Sequence, residues 1–370
     1  MTSARRVCCK RGGEVGAMAV VEVKQEVLEP RPHLIQSWLP WLRWVPSSAT
    51  LLQQVEEEIL GHLEDPGEGF YVTSGEVGGQ DVRVWTRRWK GPANSTSPPL
   101  VMVHGMAAGL AMFALNIPAL SKERTVLAID LPGFGRSSRP SFSSQEEKIV
   151  DEYTGVLEAW RERLGVERMH LLGHSFGGYL AAHYSRRHPD KVDKTILADP
   201  WGMMERPEDI MEKYQVSTTF RVIFGVIKHF NPLGVMRLVG PWGPGLATSR
   251  RPDLARKFTP LLGEEKSVLV NTYLYHCNAH RAEGETAFRR LSQDFFWAKA
   301  PFLSQQEEVG KGWTMLLGEN SWICRDQHDK FAEECRRLGI KLHELPEAAH
   351  HIYADQADLF NSIVNKTCSS

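Results

Sequence analysis

Much of what this 370-residue chain says about itself comes from what it has little of. No stretch approaches the ~20 consecutive apolar residues that a membrane-spanning helix needs. Charge of one sign is not in excess: 44 Lys+Arg stand against 45 Asp+Glu, a formal net charge of −1. Nucleic acid is therefore not the expected partner, because binding a phosphate backbone calls for a basic surplus. Cysteine is sparse, and Cys8, Cys9, Cys277, Cys324, Cys335 and Cys368 have no metal-ligand spacing. They read as thiols in a reducing, cytoplasmic setting, not as a disulfide framework or a metal site. The opening MTSARRVCCKRGG holds no apolar core of a signal peptide. The sequons at Asn94 and Asn365 are accordingly expected to stay unglycosylated. Internal repeats and low-complexity tracts are lacking too, which argues against solenoid and fibrous architectures.

What is present is an ordinary globular mixture, 42% hydrophobic and 24% charged, long enough to bury a large core without staples. Residues 1–70 read as an N-terminal tail followed by a Trp-rich segment. Within the tail, Cys8 and Cys9 lie between Arg6 and Lys10 and read first as two free thiols of a tail, with S-acylation the alternative. Trp38, Trp41 and Trp44 follow at a spacing of three, beside Pro40 and Pro46. Tryptophan favours the membrane–water interface, where its ring is buried and its N–H stays wet, so the three are a candidate membrane anchor. A strap packed on the protein's own surface accounts for them equally well. Thr50-x-x-Gln53 then resembles a capping box opening a helix through Leu60.

Beyond residue 71 strands alternate with helices. Val82–Thr86 alternates like an edge strand. Leu100–His104, Thr125–Asp130, Met169–Gly173, Lys194–Asp199, Trp313–Gly318 and Ile340–Leu345 are short apolar runs, mostly of the kind found in strands buried on both faces. Glu146–Leu164 carries a helical apolar stripe. This alternation predicts an α/β protein with a mostly parallel sheet and helices on both faces. Its first part is expected over 71–200 and its second over 301–370. Between them, 201–300 breaks the rhythm with apolar positions such as Phe220, Phe224 and Phe230 at helical spacing, and predicts a helical cap suited to a greasy substrate.

The sharpest local signal is Gly173-His174-Ser175-Phe176-Gly177, directly after an apolar strand and before a helical stretch. That context is what a strained nucleophile turn requires: the serine sits at positive φ and small neighbours let the backbone bend tightly and expose Oγ. Val103-His104-Gly105-Met106-Ala107-Ala108-Gly109 follows an earlier strand. It is the place for an oxyanion loop, with the Met106 and Phe176 amides as donors. The general base should follow the last strand, which selects His350 over His351. No metal or organic cofactor is called for.

These motifs, with Gly135–Pro140, Asp199-Pro-Trp-Gly202, Tyr275-His-Cys-Asn278 and His350-x4-Asp355, resemble the α/β-hydrolase fold family over about residues 34–366. Within it they are similar to the subfamily of α/β-hydrolase-domain proteins 4 and 5. The resemblance implies an eight-stranded sheet with an inserted helical cap. It also implies one of two functions: a lipase acting on N-acyl phosphatidylethanolamines and their lyso forms, or a co-activator of a triglyceride lipase on lipid droplets. The co-activator type carries Asn at the nucleophile position. This chain has Ser175, whose hydroxyl can form an acyl-enzyme, and that favours a serine hydrolase of lipid esters.

Implied with it are a lipid substrate, peripheral attachment to a lipid-droplet or endoplasmic-reticulum surface, and lipid-droplet proteins or a lipase as further partners. The acid departs from the family pattern, because Cys324 stands where the Asp is expected. Asp326 is the first choice, Asp199 the alternative, and Glu319 a third. His350-x4-Asp355 has also been read in the family as an acyltransferase signature for lysophosphatidic acid. The residues themselves suggest instead that Asp355 caps the final helix. Arg250, Arg251, Arg256 and Lys257 form a basic cluster in the cap that suits either anionic head groups or a solvated face.

Overall fold

The computed structural model describes residues 47–207, 233–234, 237, 245, 248–249, 252–294, 297–306, 309, 312–323 and 327–370. The chain enters through α1 (Ala49–Leu60). Its cap is Ser48, in extended backbone, whose Oγ accepts the Leu51 N–H at 3.1 Å. The capping box expected at Thr50 is therefore displaced: Thr50 is already inside the helix, and Gln53 bonds Glu57 one turn on. Two strands follow, β1 (Glu68–Val77) and β2 (Gln80–Trp89), forming an antiparallel hairpin.

The parallel part comes next: β3 (Leu100–Val103), α2 (Ile117–Ser121), β4 (Val126–Ile129), α3 (Glu146–Arg163), β5 (Met169–His174), α4 (Phe176–Arg187) and β6 (Val192–Ala198). Between β6 and the next strand of the main sheet lie α5 (Pro252–Lys257), α6 (Thr259–Lys266), α7 (Leu269–Asn278) and α8 (Glu283–Leu291). A two-stranded ribbon, β7 (Ser292–Gln293) with β8 (Trp297–Ala298), follows them. The chain closes with β9 (Trp313–Gly318), α9 (His328–Arg337), β10 (Lys341–Leu345), α10 (Ile352–Asp355) and α11 (Ala357–Cys368).

The main sheet has eight strands in the order β1-β2-β4-β3-β5-β6-β9-β10. Only the β1–β2 and β2–β4 pairings are antiparallel. β2 is thus not an edge, as its alternation suggested; β1 is. The misleading pattern has a local cause. Only Thr86–Trp89 pair with β4, while the far side of Arg83 and Trp85 is covered by the Ser137 and Ser138 hydroxyls at 2.8 and 3.0 Å. β1 escaped notice because Gly69 and Gly75 interrupt it and a register shift between Thr73 and Glu76 breaks its alternation.

The continuous apolar runs follow from burial on both faces. Val101, Val103, Leu127, Ile129, Leu171 and Met315 pack on one side against α3 and α4. Their neighbours Leu100, Met102, Val126, Ala128, Leu172 and Leu316 pack on the other against α1, α2 and α11. Each fully buried Leu, Val or Ile contributes about 1.5–3 kcal/mol relative to exposure, so alternate residues of one strand stabilise two separate cores. β3 is the branch point: the chain moves from it to β4 on one side, then crosses to β5 on the other. Ligands of open parallel sheets bind beyond the strand ends at such a switch point.

Candidate active site

Ser175 occupies the turn between β5 and α4 with φ 53° and ψ −119°. Such a backbone costs a non-glycine residue on the order of 1–3 kcal/mol and persists only when its surroundings over-determine it. Here its N–H donates to Ala198 O, and its own carbonyl accepts from Tyr179 and Trp201, each at 3.1 Å. The flanking glycines are required by close approach. A Cβ on Gly173 would lie 2.3 Å from the Gly177 carbonyl oxygen, and one on Gly177 would lie 2.4 Å from that of His104.

Ser175 Oγ is 3.0 Å from His350 Nε2, and His350 Nδ1 is 2.6 Å from Asp199 Oδ2. Nδ1–H donating to the carboxylate leaves Nε2 as the acceptor for the serine hydroxyl proton. Asp199 is fully buried at the end of β6. The Ser321 hydroxyl donates to its Oδ2 at 2.5 Å and the Gly318 N–H to its Oδ1 at 3.2 Å. Three donors thus converge on one buried carboxylate and satisfy its oxygens.

The histidine loop is held at three consecutive residues. Asn320 N–H donates to Ala348 O at 2.8 Å, Ala349 N–H to Asp355 Oδ2 at 3.0 Å, and His174 Nε2–H to the carbonyl of His350 at 2.8 Å. Burial, reinforced by the adjacent His350, pushes the His174 imidazole well below its ordinary range, so it stays neutral. Trp322, 45% exposed, lies with its ring centroid 5.2 Å from that of His350 at the rim.

The loop after β3 lies against Ser175: a Cβ on Gly105 would come within 2.9 Å of Ser175 Cβ. His104 locks this loop. Its Nε2 accepts the Leu131 N–H at 2.9 Å, so Nδ1–H is the donor to Gly105 O at 2.7 Å. Burial lowers its pKa to about 4, consistent with a neutral ring. Ala107, at φ 62°, has its carbonyl held by the Asn278 amide from α7 at 2.7 Å. Phe176 is the first residue of α4, where a backbone N–H has no acceptor within the helix. Met106 is half-buried in the loop beside it.

The carboxylate on the Nδ1 side of His350 is that of Asp199, the alternative; Asp326, the first choice, lies outside the described residues, as does Cys324. Glu319 is engaged elsewhere, its Oε2 accepting the Glu347 N–H at 2.7 Å. Asp355 does not cap the final helix, which starts at Ala357 after Gln356. It binds Ala349 N–H and, through Oδ1, Lys257 Nζ at 2.7 Å. His351 stands at the N-terminus of α10, its ring 5.5 Å from that of His174. Trp38, Trp41, Trp44, Arg250 and Arg251 lie outside the described residues. Sequence reasoning did not identify Ser321, His174, His104 or Asn278 as supports of the site. The last stands in the Tyr275-His-Cys-Asn278 stretch, noted only for its resemblance to the family, and the signal for all four is contact between distant parts of the chain.

A family model described as alpha/beta hydrolase fold matches residues 98–231. The chain is 39% identical over 347 residues to the (lyso)-N-acylphosphatidylethanolamine lipase of Mus musculus, covering 93% of this chain and 98% of that protein. It is 36% identical over 293 residues to the 1-acylglycerol-3-phosphate O-acyltransferase ABHD5 of Homo sapiens, covering 78% of this chain and 82% of that one. Among solved structures, a membrane phospholipase A described as a bacterial virulence factor superposes with a TM-score of 0.57 at 20% identity. That match covers 91% of this chain and 95% of its own. The carboxylesterase CesB from Bacillus subtilis gives 0.58 at 19% identity, covering 86% and 97%. At those identities the two structures bear on the fold alone.

Proposed function

The chain belongs to the α/β hydrolase fold family, and we propose that it is a serine hydrolase of lipid esters whose triad is Ser175, His350 and Asp199. The observation that carries this reading is the serine–imidazole–carboxylate relay, 3.0 Å and 2.6 Å long, at the sheet's switch point. Fatty-acyl esters of N-acyl phospholipids or lysophospholipids are the substrate class that its similarity to the mouse lipase supports.

In this mechanism Ser175 Oγ attacks the ester carbonyl while its proton passes to His350 Nε2. The negative charge that develops on the carbonyl oxygen is met by the Met106 and Phe176 amides. Asp199 stabilises the imidazolium by charge and holds its orientation. Collapse of the intermediate breaks the ester C–O bond, and His350 returns the proton to the leaving alcohol. Water, deprotonated by His350, then releases the fatty acid from acyl-Ser175 and the hydroxyl recovers its proton. An acceptor alcohol in place of water would give acyl transfer. The similarity to the acyltransferase supports 1-acylglycerol 3-phosphate as that acceptor in a second reading.

Helices α5–α8 form the cap over the strand ends in this proposal, spanning part of 201–300. Attachment is peripheral, with Trp38, Trp41 and Trp44 as the interfacial anchor on a lipid droplet or endoplasmic-reticulum membrane. Among the described residues no helix is long and apolar enough to cross a bilayer. The test is labelling of the purified full chain with a fluorophosphonate, alongside fatty-acid release from vesicles containing lyso-N-acyl phosphatidylethanolamine. Both signals should vanish in Ser175→Ala. A folded wild type that neither labels nor releases fatty acid overturns the hydrolase reading and leaves a non-catalytic co-activator of another lipase.

A further inference from the structure

Asp355 is five residues beyond His350 and touches neither Ser175 nor the imidazole. Both of its oxygens are nonetheless engaged: Oδ2 accepts the N–H of Ala349, the residue before the base, and Oδ1 binds Lys257 Nζ at 2.7 Å. The two side chains are only 15% and 14% exposed. A charge-assisted bond of this kind is roughly twice as strong as a neutral one, and shielding from solvent keeps the ion pair from being screened. Lys257 ends α5, in the stretch inserted between β6 and β9. Asp355 is thereby the bridge between that insertion and the loop that aims His350.

We propose that Asp355 is a positioning residue for His350, and that Lys257 sets the placement of its carboxylate, so that α5 and the catalytic base are mechanically joined. This rests on the reading of His350 as the base. It also gives the His350-x4-Asp355 spacing a meaning other than acyl transfer. With one oxygen on Ala349 and the other on Lys257, Asp355 is not presented to an acceptor alcohol.

The test measures kcat and KM for p-nitrophenyl butyrate hydrolysis, and acyl transfer to added 1-acylglycerol 3-phosphate. Asp355→Ala should lower kcat about 10- to 100-fold with KM within twofold, since small displacements of a catalytic group carry costs of that order. Hydrolysis and transfer should fall by the same factor. In Asp355→Asn a single amide oxygen faces two donors, Ala349 N–H and Lys257. Lys257→Met should therefore lower kcat about threefold or more beside Asp355, yet raise it in the Asp355→Asn background, where it frees that oxygen for Ala349. A kcat for Asp355→Ala within twofold of wild type, a loss confined to transfer, or additive effects of Lys257→Met and Asp355→Asn would overturn the proposal. Where Asp355→Ala does not fold, the Asn and Met variants carry the same decision.

Failure of the hydrolase reading is told apart by a readout without turnover. The low-field proton resonance of His350 Nδ1–H, recorded in Ser175→Ala, should shift or broaden on adding Asp355→Asn and sharpen again with Lys257→Met. An Nδ1 proton indifferent to both substitutions overturns the proposal whatever the enzyme's activity.

Discussion

Replacing Asp199 by Asn puts the acid assignment to its hardest test. The carboxylate receives three hydrogen bonds, from His350 Nδ1–H, the Ser321 hydroxyl and the Gly318 N–H, in a fully buried site. An amide has one oxygen and two N–H donors, so it cannot accept all three. If its oxygen stays on the Gly318 side, as the backbone donor favours, its NH2 faces His350 Nδ1. The imidazole must then carry its proton on Nε2, where it can no longer accept from Ser175, 3.0 Å away. The same change in a serine protease of another fold lowers kcat about 10⁴-fold for that reason. The equivalent here is about 5.4 kcal/mol in the barrier. The folded state loses less, about 1–3 kcal/mol for a buried mismatch, and the Ser321 hydroxyl can rotate to accept from the new amide. The assay is the second-order rate of fluorophosphonate inactivation, with far-UV circular dichroism to show that the variant is folded. Asp199→Asn should be slower by three to four orders of magnitude, and Asp326→Asn within about threefold of wild type. An Asp199→Asn enzyme within tenfold of wild type, with Asp326→Asn disabled, would refute the assignment and the tautomer argument together.

Asn278→Ala removes the amide that holds the Ala107 carbonyl of the oxyanion loop. It should lower kcat about tenfold while KM holds, because a loose donor loop costs only the transition state; a rise in KM at constant kcat would contradict this. Glu56 bonds Trp85 Nε1 and Arg136 Nη1, each at 2.9 Å, and burial, with Asp130 nearby, raises its pKa from 4.5 to about 7. A carboxyl raised in the folded state contributes stability that is present below pH 4.5 and is lost as pH rises through 7. Relative to Glu56→Gln, the wild type should therefore lose on the order of 3 kcal/mol between those limits in denaturant titrations. A difference between the two proteins that does not change with pH would exclude this role.

How much of this was legible beforehand depended on how local the signal is. The buried strands were readable because an apolar run sandwiched between two helical layers needs no partner to be identified; Leu100–Val103 and Val126–Ile129 differ from their expected spans only at the ends. The turn at Ser175 was readable for the same reason, since strand, strained residue and helix are adjacent in the chain. β1 was not, because glycines and a register shift break its alternation. The N-cap of α1 was misplaced by two residues, since Ser48 and Thr50 are both plausible caps and only backbone angles distinguish them.

From the sequence alone came the alternating architecture, the strained turn at Ser175 and a histidine after the last strand as the candidate base. Each of these is written in a short window whose physics is periodicity, strain or chain order. Which carboxylate stands beside His350 came from the tertiary structure. β6 lies beside β9, with Asp199 N–H on Leu316 O at 2.7 Å, so a carboxylate at the end of β6 reaches Gly318, Ser321 and His350 at once. Asn278 on Ala107 and Lys257 on Asp355 are decided in the same way. Hydrogen bonds act over about 3 Å, and separations of roughly a hundred residues or more come within that distance only when the sheet has formed.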